Sequence, residues 1–162
     1  MDRLNQDTLG YILQSAILAP SADNQHRVRF KIAGNTLRVM STEASLPPPG
    51  GYKRALVLMS LGALLENLSI AASRFGIQAG AVLGPDPARP DFVLEIRMQP
   101  DKTAVDPLWR SIPLRHTNRR VLFRGPKMSS TERDEMEAAV QNFASGRLIW
   151  LDEPNARKRV LR

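Results

Sequence analysis

No stretch limits the fold more than residues 55 to 75, "ALVLMSLGALLENLSIAASRF", in which Glu66 and Arg74 are the only charges. Its length and apolar content predict a long helix, and Gly76 stands where a glycine closes a helix in the left-handed conformation. A helix apolar nearly all round has to be covered by other protein or by lipid. Glu66 and Asn67 sit in mid-segment beside Ser60 and Ser69. A charge at the bilayer centre costs about 3 kcal/mol on insertion scales. The expectation is therefore a buried central helix in a protein core or a subunit interface, with no membrane.

The flanking sequence supplies what could cover it. Asp7 is positioned to cap a first helix with Leu9, Ile12, Leu13, Ala16 and Ile17 on one stripe, ended by Pro20. "VRFKIA" and "TLRVMS" are short β-type runs separated by Gly34-Asn35, the pattern of a tight hairpin. "IQAGAVL" and "DFVLEIRM" predict two more strands around the turn-rich "GPDPARP". Ser129 and Glu132 form a capping-box signature for a helix carrying Met136, Ala139, Val140 and Phe143 on one face. "RLIWL" predicts a strand, and a helix is expected to start after Pro154. The order predicts an α+β fold, with a mostly antiparallel sheet packed against helices, and shows no regular βαβ repetition.

Several chemistries are excluded. The chain has no cysteine, so thiolate catalysis, disulfides and Cys-ligated metals are absent. Its two histidines, His26 and His116, make a histidine-rich metal site an unfavoured choice. There is no GxGxxG, Walker A or GxSxG sequence. The start, "MDRLNQDTLGYIL", lacks the cationic and apolar blocks of a secretory signal, and a cytoplasmic location is expected.

The net charge of +7 favours an anionic partner and is unevenly placed. Residues 1–100 hold 10 Lys and Arg against 8 Asp and Glu, whereas residues 101–162 hold 13 against 8. From Pro107 to Thr131 there is no acid, while "LRHTNRRVLF" places Arg115, Arg119 and Arg120 around Thr117 and Asn118. In an extended segment Arg115, Thr117 and Arg119 share a face. Two guanidinium forks and a hydroxyl there suit a phosphate dianion. A solvated basic loop and a nucleic-acid surface are the alternatives, the latter weakened by few lysines and few aromatics for stacking. The second polar stretch, "APSADNQHRVRF", reads as a compact turn or as a loop offering Ser21, Asn24 and backbone N–H groups to a bound heterocycle.

Together these stretches resemble a family. "LQSAILAPSADNQHRVRF" is similar to the first helix and APSxxNxQPWxF loop of nitroreductase-type flavoproteins, with His26-Arg27-Val28 standing where that pattern has Gln-Pro-Trp. "LRHTNRRVLF" followed by "MSSTERDEMEAAV" resembles the family's Arg-x-Ser/Thr-x-Arg/Lys opening and its helix. "SLGALLENLSIAASRFGIQAGAVL" resembles its central helix and following strand, through Gly62, Glu66, Asn67, Leu68, Ala71, Ala72 and Gly76. The resemblance spans essentially the whole chain and implies a nitroreductase-like fold. It implies an FMN-dependent oxidoreductase passing hydride from NAD(P)H to flavin and then to a small-molecule acceptor. Arg115, Thr117 and Arg119 would hold the FMN phosphate, and Ser21 and Asn24 would lie near the ring or ribityl chain. The cofactor carries that chemistry, so no catalytic acid or base is assigned.

In this chain the arginine motif follows the APSxxN loop, an order that resembles a fused, two-module branch of the family. Residues 1–108 would then be a first module and 109–162 the truncated start of a second, with a homodimer or a missing C-terminal half completing the site. A flavin-free binding or assembly module of the same fold is the alternative, and a nucleic-acid binder the third.

Overall fold

The computed structural model describes residues 5–42, 47, 50–84, 92–102, 104–117, 125–141, 143 and 146–152. The chain divides into two compact units, Met1–Asn118 and Arg119–Arg162.

In the first unit, α1 (Gln6–Ile17) is capped by Asn5, whose side chain accepts from the Asp7 N–H at 3.0 Å. The expected cap, Asp7, instead lies in the first turn, where its carboxylate faces the positive end of the helix. Strands β1 (Val28–Ala33) and β2 (Thr36–Ser41) form the hairpin, and Gly34 takes a positive φ of 58° in its two-residue turn. The long helix α2 runs over Tyr52–Ser73, followed by β3 (Ile77–Leu83) and β4 (Phe92–Pro100). The sheet is antiparallel throughout, in the order β1-β2-β4-β3, with a bulge between Val39 and Met40. β2 and β4 are central and carry Leu37, Val39, Ile96 and Met98 into the core. Outside the core, Glu95 pairs with Arg38 directly across the β2–β4 ladder at 3.4 Å and with Arg97 at 3.2 Å.

The core closes between this sheet and the two helices. Ile12 and Ala16 of α1 meet Leu61, Leu64, Leu68, Ala71 and Ala72 of α2. Each leucine so buried stabilises the fold by about 2–3 kcal/mol. Asn67 spends its amide inside the fold, donating to the Ser15 carbonyl at 3.0 Å and tying the two helices together. Gly76 turns the chain out of α2 at φ 64°, and its carbonyl accepts from the Asp101 N–H at 2.8 Å.

Three expectations are corrected. The helix α2 starts three residues earlier than its sequence suggested and is not buried all round: Tyr52, Leu56 and Met59 are exposed. Length explains this, since 22 residues span about 33 Å against about 20 Å for a six-residue strand. The buried residues of the helix run from Leu61 to Ala72. By length and composition α2 is apolar enough to cross a membrane, yet its C-terminal half is built into the core of this unit.

The third correction lies in the second unit. There α3 (Ser130–Gln141) has the expected capping box: the Ser129 N–H donates to Glu132 Oε2 at 2.7 Å, and the Glu132 N–H donates to Ser129 Oγ at 3.2 Å. Met136 is exposed, and Phe143, exposed as well, lies beyond the end of this helix. "RLIWL" is not a strand. A strand needs a ladder partner, and the described residues of this unit offer none. The segment instead turns its side chains to α3: Trp150 Nε1 donates to Glu137 Oε1 at 2.6 Å, and Arg133 pairs with Asp152 at 2.7 and 2.8 Å while lying over the Trp150 ring. The helix expected after Pro154 falls outside the described residues.

Candidate functional site

The loop after α1 is held from three sides. Pro20 ends the helix, and Ala22–Asn24 form one 3₁₀ turn in which Asn24 takes φ 55°, a conformation asparagine tolerates better than most residues. The Ala22 N–H donates to Ser60 Oγ of α2 at 3.1 Å, and Ser60 in turn donates to the Leu56 carbonyl at 2.8 Å. His26 folds back so that its Nε2 lies 2.8 Å from the Ala19 carbonyl. A carbonyl only accepts, so this nitrogen carries the hydrogen. Within this loop the Ser21 hydroxyl is buried with no hydrogen-bond partner. Such a hydroxyl costs about 1–3 kcal/mol unless something satisfies it.

The arginine segment reaches the same loop. Asp106 caps a 3₁₀ turn at Pro107–Arg110, accepting from the Leu108 N–H at 2.8 Å, and its own N–H donates to Ser73 Oγ at 3.0 Å. Arg74 then lies over the Trp109 ring at 4.2 Å and over Tyr11 at 4.9 Å. Ile112 is buried in the core. These contacts fix residues 106–114 on the first unit, and Arg115 leaves them with extended backbone angles. Its Nη2 donates to the Leu18 carbonyl at 2.9 Å, and its Nη1 donates to Thr117 Oγ1 at 3.3 Å.

The structure therefore brings Arg115 and Thr117 together and seats Arg115 on Leu18, three residues in sequence before Ser21. Arg115 and Thr117 are exposed, as is Asn24. Two of the five guanidinium N–H groups of Arg115 are engaged, which leaves three donors for an anion. Arg119, the third member of the expected clamp, lies outside the described residues, as do Asn118 and Arg120. The donor set fits a phosphate-bearing group: a charged fork and a hydroxyl at an exposed edge, beside a loop whose buried hydroxyl lacks a partner.

Sequence reasoning missed the residues that assemble this arrangement. Ser60 was legible as one of the few hydroxyls in an apolar helical stretch, but its partner, a backbone N–H, has no sequence signature. Arg74 and Trp109 are 35 residues apart, and nothing in the linear pattern pairs them.

No protein-family model matches the chain, and no curated protein matches it in sequence. Solved structures do. The NADPH:FMN oxidoreductase from Vibrio harveyi complexed with NAD+ superposes with a TM-score of 0.50 at 12% identity, covering 98% of this chain and 84% of that one. Nitroreductase A from Vibrio parahaemolyticus RIMD 2210633 gives 0.48 at 11% identity, covering 98% and 83%. An FMN-dependent nitroreductase from Clostridium difficile R20291 gives 0.48 at 11% identity, covering 74% and 91%. The first of these carries the assignment: the architecture is the α+β nitroreductase fold.

Proposed function

We propose that this chain is an FMN-binding oxidoreductase of nitroreductase type, taking hydride from NAD(P)H and passing electrons to a small-molecule acceptor. The observation that carries the reading is the seat of Arg115 on the Leu18 carbonyl, which holds the arginine segment against the loop of the orphaned Ser21 hydroxyl. The nitroreductase fold, shared with a protein described as an NADPH:FMN oxidoreductase, supports it.

Flavin, when bound, supplies the hydride chemistry. The residues of this chain bind and orient it. Arg115 offers its free N–H groups to the phosphate, with the Thr117 hydroxyl beside it, and the sequence pattern assigns Arg119 to the same clamp. Ser21 and Asn24 face the ring or ribityl chain. No side chain is assigned a proton-transfer role. The remaining flavin contacts come from a second copy of the chain or from a further module, an arrangement consistent with residues 1–108 and 109–162 deriving from two related modules. The exposed apolar turns of α2, with Tyr52, Leu56 and Met59, suit such a homodimer. A cytoplasmic setting, where NAD(P)H is available, follows from this reading.

The test is direct. The purified chain is titrated with FMN and flavin fluorescence is followed. Saturable quenching, with NAD(P)H oxidation by the complex, is expected. A protein that takes up no FMN would instead be a flavin-free module of the same fold. That second reading draws on His26-Arg27-Val28, which replace the Gln-Pro-Trp of the family pattern.

A further inference from the structure

The two edges of the sheet differ in chemistry. At one edge β1 exposes Arg29 and Lys31, charges of the kind that keep an edge strand from pairing with another chain. At the other edge β3 reads "IQAGAVL", with no charge and no proline. Among the described residues no strand pairs with its outer side. The Gly84 N–H donates to the Val93 carbonyl at 2.9 Å, and the Asp101 N–H donates to the Gly76 carbonyl at 2.8 Å. Antiparallel pairs alternate between bonded and non-bonded. The even-numbered residues of β3 therefore bond to β4, while Ile77, Ala79, Ala81 and Leu83 turn their N–H and C=O groups to the open edge.

We infer that this edge pairs with the same edge of a second copy of the chain, β3 antiparallel to β3 about a two-fold axis at Gly80. The strand is self-complementary about that residue. Ala79 then meets Ala81 of the second copy and Ile77 meets its Leu83, each outward-facing residue opposite another, so the ladder continues from one sheet into the next. No charges meet, which matters between copies that each carry +7. Residues directly opposite put their side chains on the same face. Leu83 is 58% exposed, whereas Ile77 lines a hollow of about 160 Å3 together with Ala79 and with Ser69 and Ser73 of α2. The pairing brings Leu83 of the second copy to that hollow and removes from water a side chain that one copy alone leaves out. Any extended peptide can use the backbone groups of an open edge; the fit of Leu83 to the hollow, at the spacing the register sets, selects a second copy. The surface is distinct from Tyr52, Leu56 and Met59, which lie toward the other end of α2 from Ser69 and Ser73.

The experiment follows the full chain by sedimentation over a concentration series, where reversible self-association is expected. Leu83→Lys should weaken it by about tenfold or more, since pairing then desolvates a charge. Ala81→Pro removes an outward N–H and no bond to β4, so it should weaken association likewise, with folding checked by circular dichroism. The chain has no cysteine, so Gly80→Cys places the only thiol on the two-fold axis. Opposed Cα atoms there are about 4.5 Å apart, a spacing a disulfide accepts. The added Cβ meets only the Arg97 carbonyl, at 4.0 Å. Mild oxidation should yield a disulfide dimer on a non-reducing gel, faster than for Ile32→Cys at the exposed opposite edge. Adding Met59→Lys, on the exposed turns of α2, should leave that cross-link in place.

A chain that stays monomeric at every concentration, association unchanged in Leu83→Lys, or Gly80→Cys cross-linking no faster than Ile32→Cys would overturn the inference. Cross-linking abolished by Met59→Lys would also overturn it, by assigning the contact to α2. The inference does not rest on the flavin reading: a chain that pairs through β3 and takes up no FMN keeps it and removes the oxidoreductase.

Discussion

Arg115→Ala is the perturbation on which the proposed function turns. In the free protein the guanidinium makes two hydrogen bonds, to Leu18 O and Thr117 Oγ1, both at an exposed position. Water replaces exposed bonds cheaply, so their loss should cost the fold less than about 1 kcal/mol. The phosphate contact is different in kind. Charge-assisted bonds contribute about 1.5–3 kcal/mol each, and the geometry leaves N–H groups for at least one. A loss of about 2 kcal/mol corresponds to FMN binding weakened about 30-fold. Fluorescence titration with FMN reads that change, and a thermal melt on the same sample reads the fold. Arg115→Lys keeps the charge without the planar fork and should fall between the two. Combining Arg115→Ala with Arg119→Ala should weaken FMN retention by at least about 2 kcal/mol. FMN affinity equal to that of the unaltered protein in this double variant would refute the phosphate clamp. A large drop in melting temperature in the single variant would refute the claim that Arg115 contributes little to folding.

Other consequences can be measured separately. Trp109→Ala removes the ring beneath Arg74 and should loosen residues 106–114, lowering FMN affinity while denaturant unfolding shifts by only about 0.5–2 kcal/mol. Leu68→Ala empties a fully buried position between α1, α2 and the sheet and should cost about 2–5 kcal/mol in urea unfolding. Gly76→Ala forces a Cβ to 3.2 Å from the Asp101 carbonyl at positive φ and should destabilise by about 1–2 kcal/mol in the same assay. The bonds from Ser129 hold the Glu132 carboxyl below its ordinary pKa. A depressed folded-state pKa means the cap is fully present above the unfolded value and is lost as pH falls through the folded one. Amide shifts at the start of α3 should follow that acid transition, and Glu132→Gln should abolish it.

The parts of the fold that could be read in advance are those set by local chemistry. Gly34-Asn35 between alternating runs, Gly76 after an apolar helix and the Ser129–Glu132 box each act within a few residues, and each stands where expected. The parts that could not be read depend on relative size or on distant partners. The apolar content of α2 said that it would be covered, but only its length against the strands leaves Tyr52 and Met59 outside. "RLIWL" has strand composition and no ladder to join. At the site, residue types pointed to the two segments, Ser21–Asn24 and Arg115–Thr117. Their junction at the Leu18 carbonyl was invisible, because a backbone acceptor is the same in every residue.

A structure of the chain crystallised with FMN reaches the heart of the matter. The account places the flavin phosphate within hydrogen-bonding distance of the Arg115 guanidinium, with the Ser21–Asn24 loop against the ring or ribityl chain. A bound flavin whose phosphate is held elsewhere, with Arg115 still turned only to Leu18 and Thr117, would contradict it.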